Sequence, residues 1–311
     1  MNFKKITLTA ATALAMVSLA ACGQKDSSTN TDIVTMKGNT IRVTDFYNAA
    51  KNNTSANGTQ IVQQLVLDDV LEDKYKGKVS DKEVNAEYDK TKKQYGDQFS
   101  AALAQAGLTE ESYKSSIKTN LLVKYAVDQA VKKEYTDANM KAAWDKFHPE
   151  VTARVIQVSD EKTAKEVLDE VKKDDSKFGD IAKEKSVGPD KDKGGEIKFD
   201  SNSNELPTEV KDAAFKLEDG KVSDIITVSN QTGASSYYIV KMEKNSKKGN
   251  DMNKYKGDLE KAIKNEKESD SKFTTGVIGN LLKEYNVTIK EKAFSNALSQ
   301  YTTDATDTSE K

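Results

Sequence analysis

The chain is nearly without cysteine, histidine and tryptophan: one of each in 311 residues, Cys22, His148 and Trp144. A single cysteine excludes any disulfide within the chain, so helices and apolar cores must supply the stability. One histidine beside one cysteine excludes zinc sites built on several such ligands and any catalytic dyad or triad that uses cysteine. No basic stripe stands out: 48 Lys and Arg face 50 Asp and Glu, and nucleic-acid binding is not expected. No cofactor is implied. The longest apolar run, residues 6–19, is shorter than the ~20 residues a membrane-spanning helix needs. What is abundant is charge, 32% of residues against 36% hydrophobic, which points to a surface-rich folded chain long enough for two domains.

The amino terminus carries an address. Lys4 and Lys5 precede the apolar run, which ends in Leu19-Ala20-Ala21-Cys22-Gly23. This is the plan of a secretory signal, read here as residues 1–21. A cysteine directly after Leu-Ala-Ala resembles the lipobox of bacterial lipoproteins. That resemblance implies cleavage before Cys22, a diacylglyceryl group on its thiol, and anchoring at the outer face of the plasma membrane of a Gram-positive type of cell. Two acyl chains hold a protein stably where one does not. Residues 22–32 are polar and read as a lipidated tether.

Residues 33–148 read as mainly helical. A short strand and turn come first, with Thr44 as a candidate cap for a helix holding Phe46 and Tyr47. Ile61, Leu65, Val70, Leu71 and Tyr75 recur at helical spacing. Ser80 with Glu83 makes a capping-box pattern, and Thr109 and Thr136 are further starts. His148-Pro149 ends the region, with His148 expected to be a surface linker residue. The texture then changes over residues 149–245. Val151 to Val158 alternates like a strand; Thr163 to Glu166 reads as a capping box; Ser176 can cap a short helix; residues 197–199 look like a strand. Pro207 suits a first helical turn, Gly220 a helix stop, and residues 225–228 and 237–242 two closing strands. Helical spacing returns over residues 246–290, and residues 291–311 read as a polar, disordered tail.

The middle segment is similar to the parvulin-type peptidyl-prolyl isomerase domain. The residues that carry the likeness are Ala153 to Val158, Lys193-Gly194-Gly195-Glu196-Ile197, Ala213 to Leu217 followed by Gly220 to Ser223, and Tyr237 to Lys241. With the lipobox and helical flanks, residues 1–290 resemble the extracytoplasmic foldase lipoproteins of Gram-positive bacteria. The resemblance implies an α+β fold: a parvulin-like domain with a four-stranded antiparallel sheet, inserted in a helical chaperone domain built from both flanks. It implies folding or unfolded secreted proteins as partners, the membrane through lipid on Cys22, and a homodimer.

Carried over one at a time, the family's catalytic positions are poorly filled. The two histidines fall on Val155 and Tyr238, and the cysteine or aspartate falls on Gly188, with Asp190 two residues away. The methionine and phenylalanine of the proline cup fall on Leu206 and Val210. The Tyr238 hydroxyl and Ser235 are the polar groups left. The expectation is a domain that binds proline-bearing segments but isomerises slowly or not at all. Val155 and Val210 also read as plain core, and Gly194-Gly195 as a plain turn. An active isomerase, a solute-binding lipoprotein, and an adhesin or scaffold without folding activity are the competing readings. The solute-binding reading wants two α/β lobes, and here the mixed strand-and-helix pattern is confined to one segment of about 95 residues.

Overall fold

The structure is a computed structural model that describes residues 30–230 and 233–302. The signal segment, Cys22 and most of the tether therefore lie outside the described residues, as do residues 303–311 of the tail.

Strands β1 (Asp32–Met36) and β2 (Asn39–Arg42) form an antiparallel hairpin. Gly38 at φ 85° makes its turn, a backbone region costly for side chains with a Cβ. Six helices follow: α1 (Val43–Asn52), α2 (Gly58–Lys74), α3 (Asp81–Tyr95), α4 (Phe99–Gln105), α5 (Glu110–Lys133) and α6 (Asp137–Lys146). Ser80, Thr109 and Thr136 cap as their sequence context predicts, each accepting a backbone N–H three residues on. Thr44 does not. The cap position is Arg42, two residues earlier, and Asp45 accepts the Arg42 N–H at 2.8 Å.

A second, four-stranded sheet then forms in the order β4-β3-β6-β5, every neighbour antiparallel. Its members are β3 (Val151–Val158), β4 (Glu196–Phe199), β5 (Ile226–Ser229) and β6 (Ser235–Lys244). Alternation along β3 sends Ile156 and Val158 to one face and Val151 and Ala153 to the other. Helices α7 (Glu161–Lys173) and α8 (Phe178–Lys185) cover the first face with Val167, Val171 and Phe178. Helix α9 (Thr208–Phe215) covers the second with Val210 and Ala214. Two caps differ from expectation. Asp160 starts α7 by accepting the Thr163 N–H at 2.8 Å, so Thr163 is already inside the helix. Asp174, not Ser176, caps the turn before α8. In both, a carboxylate stands further upstream and binds the first free N–H groups, which a charged acceptor does well.

After α10 (Lys256–Ser269) and α11 (Ser271–Glu284), β7 (Thr288–Ile289) pairs antiparallel with β1. The two flanking segments thus share one sheet, β2-β1-β7, and one core. That core joins Val34 and Ile41 to Val62 and Val66 of α2, Leu122 of α5, and Ile278 and Leu282 of α11. The fold is therefore α+β, with the four-stranded sheet unit inserted between two segments that close into a mainly helical body.

Two expectations are corrected. Residues 291–302 are not a disordered tail: a turn at Lys292–Phe294 and helix α12 (Ser299–Thr302) bring Ala297 and Leu298, 2% and 5% exposed, into the main core. Composition hid this because only four apolar side chains in a polar stretch make the contact: Phe294, Ala297, Leu298 and Tyr301. His148 is not a free linker residue either. Its ring stacks on Phe215 at 4.1 Å and 8°, and Nδ1 lies 3.0 Å from the Pro149 carbonyl oxygen.

Candidate functional site

The face of the four-stranded sheet under α9 holds most of the positions that the parvulin likeness picks out. Val155 and Tyr238 lie on the two central strands, β3 and β6, whose register pairs Val155 with Val240 and Gln157 with Tyr238. A period of two then sets Val155, Gln157, Tyr238 and Val240 on one face. Val210 is fully buried there, with Leu206, Ile197 and Ile226 half-buried around it. The result is an apolar floor in which Tyr238, 8% exposed, is the one hydroxyl-bearing ring. Burial pushes the Tyr238 phenol up, only partly offset by a hydrogen bond with Ser236, so it stays protonated at neutral pH.

Ser235 does not belong to this face. Its hydroxyl lies 3.1 Å from that of Ser229, and alternation turns it away from Tyr238. Ser236 takes the place expected for it, a one-residue shift that in a strand exchanges the two sides.

The Gly194-Gly195 turn is structural. Both glycines have positive φ, 66° and 75°. A Cβ on Gly195 would meet the Val155 carbonyl oxygen at 2.4 Å, and Val155 N–H donates to the Gly195 carbonyl at 2.8 Å. The turn therefore presses on the backbone of β3 at the site's central residue. Arg154, on the reverse face, fastens it: Nη1 donates to the Gly194 carbonyl at 3.0 Å, while Nη2 and Nε reach Glu196 and Glu243 at 3.0 and 2.9 Å. The Asp190 carboxylate faces Lys193 at 3.4 Å, and its carbonyl accepts the Gly195 N–H at 2.9 Å. It braces the loop and does not stand in for the missing acid.

Position Gly188 sits over Gln157: a Cβ there would lie 3.5 Å from both Cβ and Oε1 of Gln157. Sequence reasoning passed over Gln157, Ser186 and Ser236. One signal was available. Along Val151, Ala153, Val155 and Gln157, every second residue of β3, only the last is polar. Among the described residues no group of His, Cys, Asp or Glu is arranged to hold a metal ion, and no helix is long and apolar enough to cross a membrane. The face is apolar apart from the Tyr238 hydroxyl and the Gln157 amide. It has no imidazole, thiol or carboxylate aimed into it at the family's positions.

Comparison with known proteins agrees with this geometry. Residues 148–244 match the rotamase family, the PPIC-type PPIASE domain. The chain is 47% identical over 307 residues to the foldase protein PrsA of Streptococcus gordonii, covering 98% of each. It is 44% identical over 316 residues to that of Lactococcus lactis, covering 100% of both. The crystal structure of the L. lactis foldase superposes with a TM-score of 0.71 at 44% identity, over 87% of this chain and 99% of that one. The Streptococcus pneumoniae foldase gives 0.71 at 40% identity, over 87% and 100%. The chain belongs to the PrsA family of foldases, with a PPIC-type peptidyl-prolyl isomerase domain set into a helical body.

Proposed function

We propose that this foldase is exported, cut before Cys22, held by lipid on that cysteine at the outer face of the plasma membrane, and assists secreted proteins as they fold after translocation. Its parvulin-type domain binds extended, proline-bearing segments and isomerises them slowly or not at all, while the helical body carries the chaperone work. The anchor rests on Leu19-Ala20-Ala21-Cys22. A Cys22→Ala chain is expected in the medium and unlabelled by radioactive palmitate; retention of label would refute the anchor. The resemblance also implies a second copy of the chain as partner, which sedimentation equilibrium reads directly.

The observation that carries the catalytic reading is the apolar face around Tyr238. Rotation about an amide is slow because conjugation makes the C–N bond partly double, a barrier of ~18–20 kcal/mol in ordinary peptides. X–Pro bonds exchange unaided in tens to hundreds of seconds. Catalysis requires stronger binding of the twisted amide than of the planar one. An apolar cup grips the ring in either state. Polar groups aimed at the twisted amide would discriminate, and here Val155 and Gly188 offer none. Measured by a protease-coupled assay on a short X–Pro peptide, the chain from residue 23 is expected to be near silent. A Val155→His, Tyr238→His double variant is expected to gain rate. Ordinary parvulin turnover by the unaltered chain would overturn the reading.

A further inference from the structure

Gln157 lies two residues beyond Val155 on β3, on the same face, and opposite Tyr238 in register. Its backbone is held on both sides. Its N–H donates to Ser186 Oγ at 3.1 Å, and its carbonyl accepts the Val187 N–H at 2.8 Å. Ser186, 2% exposed, also accepts the Gly188 N–H at 3.1 Å, so the segment over Gln157 is pinned. The half-buried side-chain amide, by contrast, has no hydrogen-bond partner among the described residues. Gly188, which has no side chain, lies against it, and beside it Val187 is 61% exposed. A free amide and an exposed apolar side chain thus adjoin the apolar floor.

We propose that Gln157 positions the bound segment: its Nε2–H donates to the carbonyl oxygen of the residue preceding the proline, with Val187 against that residue's side chain. This rests on the reading that the face takes proline-bearing segments. Val155 and Gln157 stand about 7 Å apart along the strand, the length of two extended residues. The carbonyl that precedes a proline is bonded to the ring nitrogen, so with the ring near Val155 it falls between the two positions, within reach of the two-methylene arm of Gln157. The chemistry has a consequence for rate. A donor at the amide oxygen favours the resonance form with a C–N double bond, so it strengthens the hold on the planar amide and does not ease rotation. Gln157 thus fits a site that binds proline segments without turning them over quickly.

The test uses the intact chain and two fluorescent Ala-Ala-X-Pro-Phe peptides, one with the ordinary carbonyl before proline and one with sulfur in its place, a weaker acceptor. The natural chain is expected to bind the oxygen peptide more tightly. Gln157→Leu is expected to weaken that binding about threefold to tenfold, the range of one neutral hydrogen bond, and to abolish the preference for oxygen over sulfur. Gln157→Glu, of the same size but without donors, is expected to do likewise. Unchanged affinity in both variants, or an undiminished oxygen preference, overturns the role of Gln157 and leaves proline binding standing. Failure of the natural chain to bind either peptide overturns both.

Discussion

Asp68 of α2 offers a sharp physical test of the helical body. It is half-buried against α5, where the Thr119 hydroxyl donates to it and the Ser115 hydroxyl donates at 3.2 Å, while Gln64 donates at 2.8 Å from its own helix. Burial outweighs those bonds, and Glu72 nearby adds repulsion, so its carboxyl is raised from 3.8 to about 6. The folded state then holds the proton more tightly than the unfolded chain. The stabilisation is fully present below pH ~3.8, falls as pH rises toward 6, and is gone above it. Integrated with these two values, lowering the pH from 7.5 to 5 should add about 1.4 kcal/mol to folding through this one group. Asp68→Asn removes the proton and keeps the shape. Urea unfolding followed by helical circular dichroism at pH 5 and 7.5 would be compared between the two chains. The natural chain should gain about 1.4 kcal/mol more than the variant on acidification. Equal pH dependence in both would refute the reasoning, since all other titrating groups are common to them.

Gly195→Ala should destabilise the parvulin-type unit by about 1–3 kcal/mol, because positive φ and a Cβ 2.4 Å from the Val155 oxygen must both be relieved; an unchanged thermal midpoint would show the turn to be more pliant than it looks. Leu298→Ala, at a side chain 5% exposed in the main core, should cost about 2–4 kcal/mol in urea unfolding, whereas a loose tail would cost nothing.

The legible parts of the fold were those written in short-range pattern. Ser80, Thr109 and Thr136 could be read because a hydroxyl ahead of a helical stripe has one nearby job. The strand at Val151–Val158 was legible because its alternation is strict. Caps failed where two candidates stood within three residues, as with Asp160 and Thr163, since the choice lies in which N–H groups the backbone leaves free. At the site, the likeness named Val155, Gly188, Tyr238, Leu206, Val210 and Ser235; the structure packs Val155, Leu206, Val210 and Tyr238 into one cluster and turns Ser235 away from it. The surroundings of Gln157 were not legible, because Ser186 and Gly188 come from about thirty residues away.

What the sequence determined by itself is local or compositional: the helix and strand periods, the exclusion of zinc sites built on several cysteines and histidines and of a cysteine dyad, and the Leu19-Ala20-Ala21-Cys22 pattern. Only the tertiary structure decided that β1 and β7 close the two flanks into one body, that residues 291–302 complete its core, and that Ser236 and not Ser235 faces Tyr238. The reason is physical. Periodicity and capping act over a few residues, whereas strand pairing and burial are set by partners far along the chain, and a side chain's chemistry follows from the company those contacts give it.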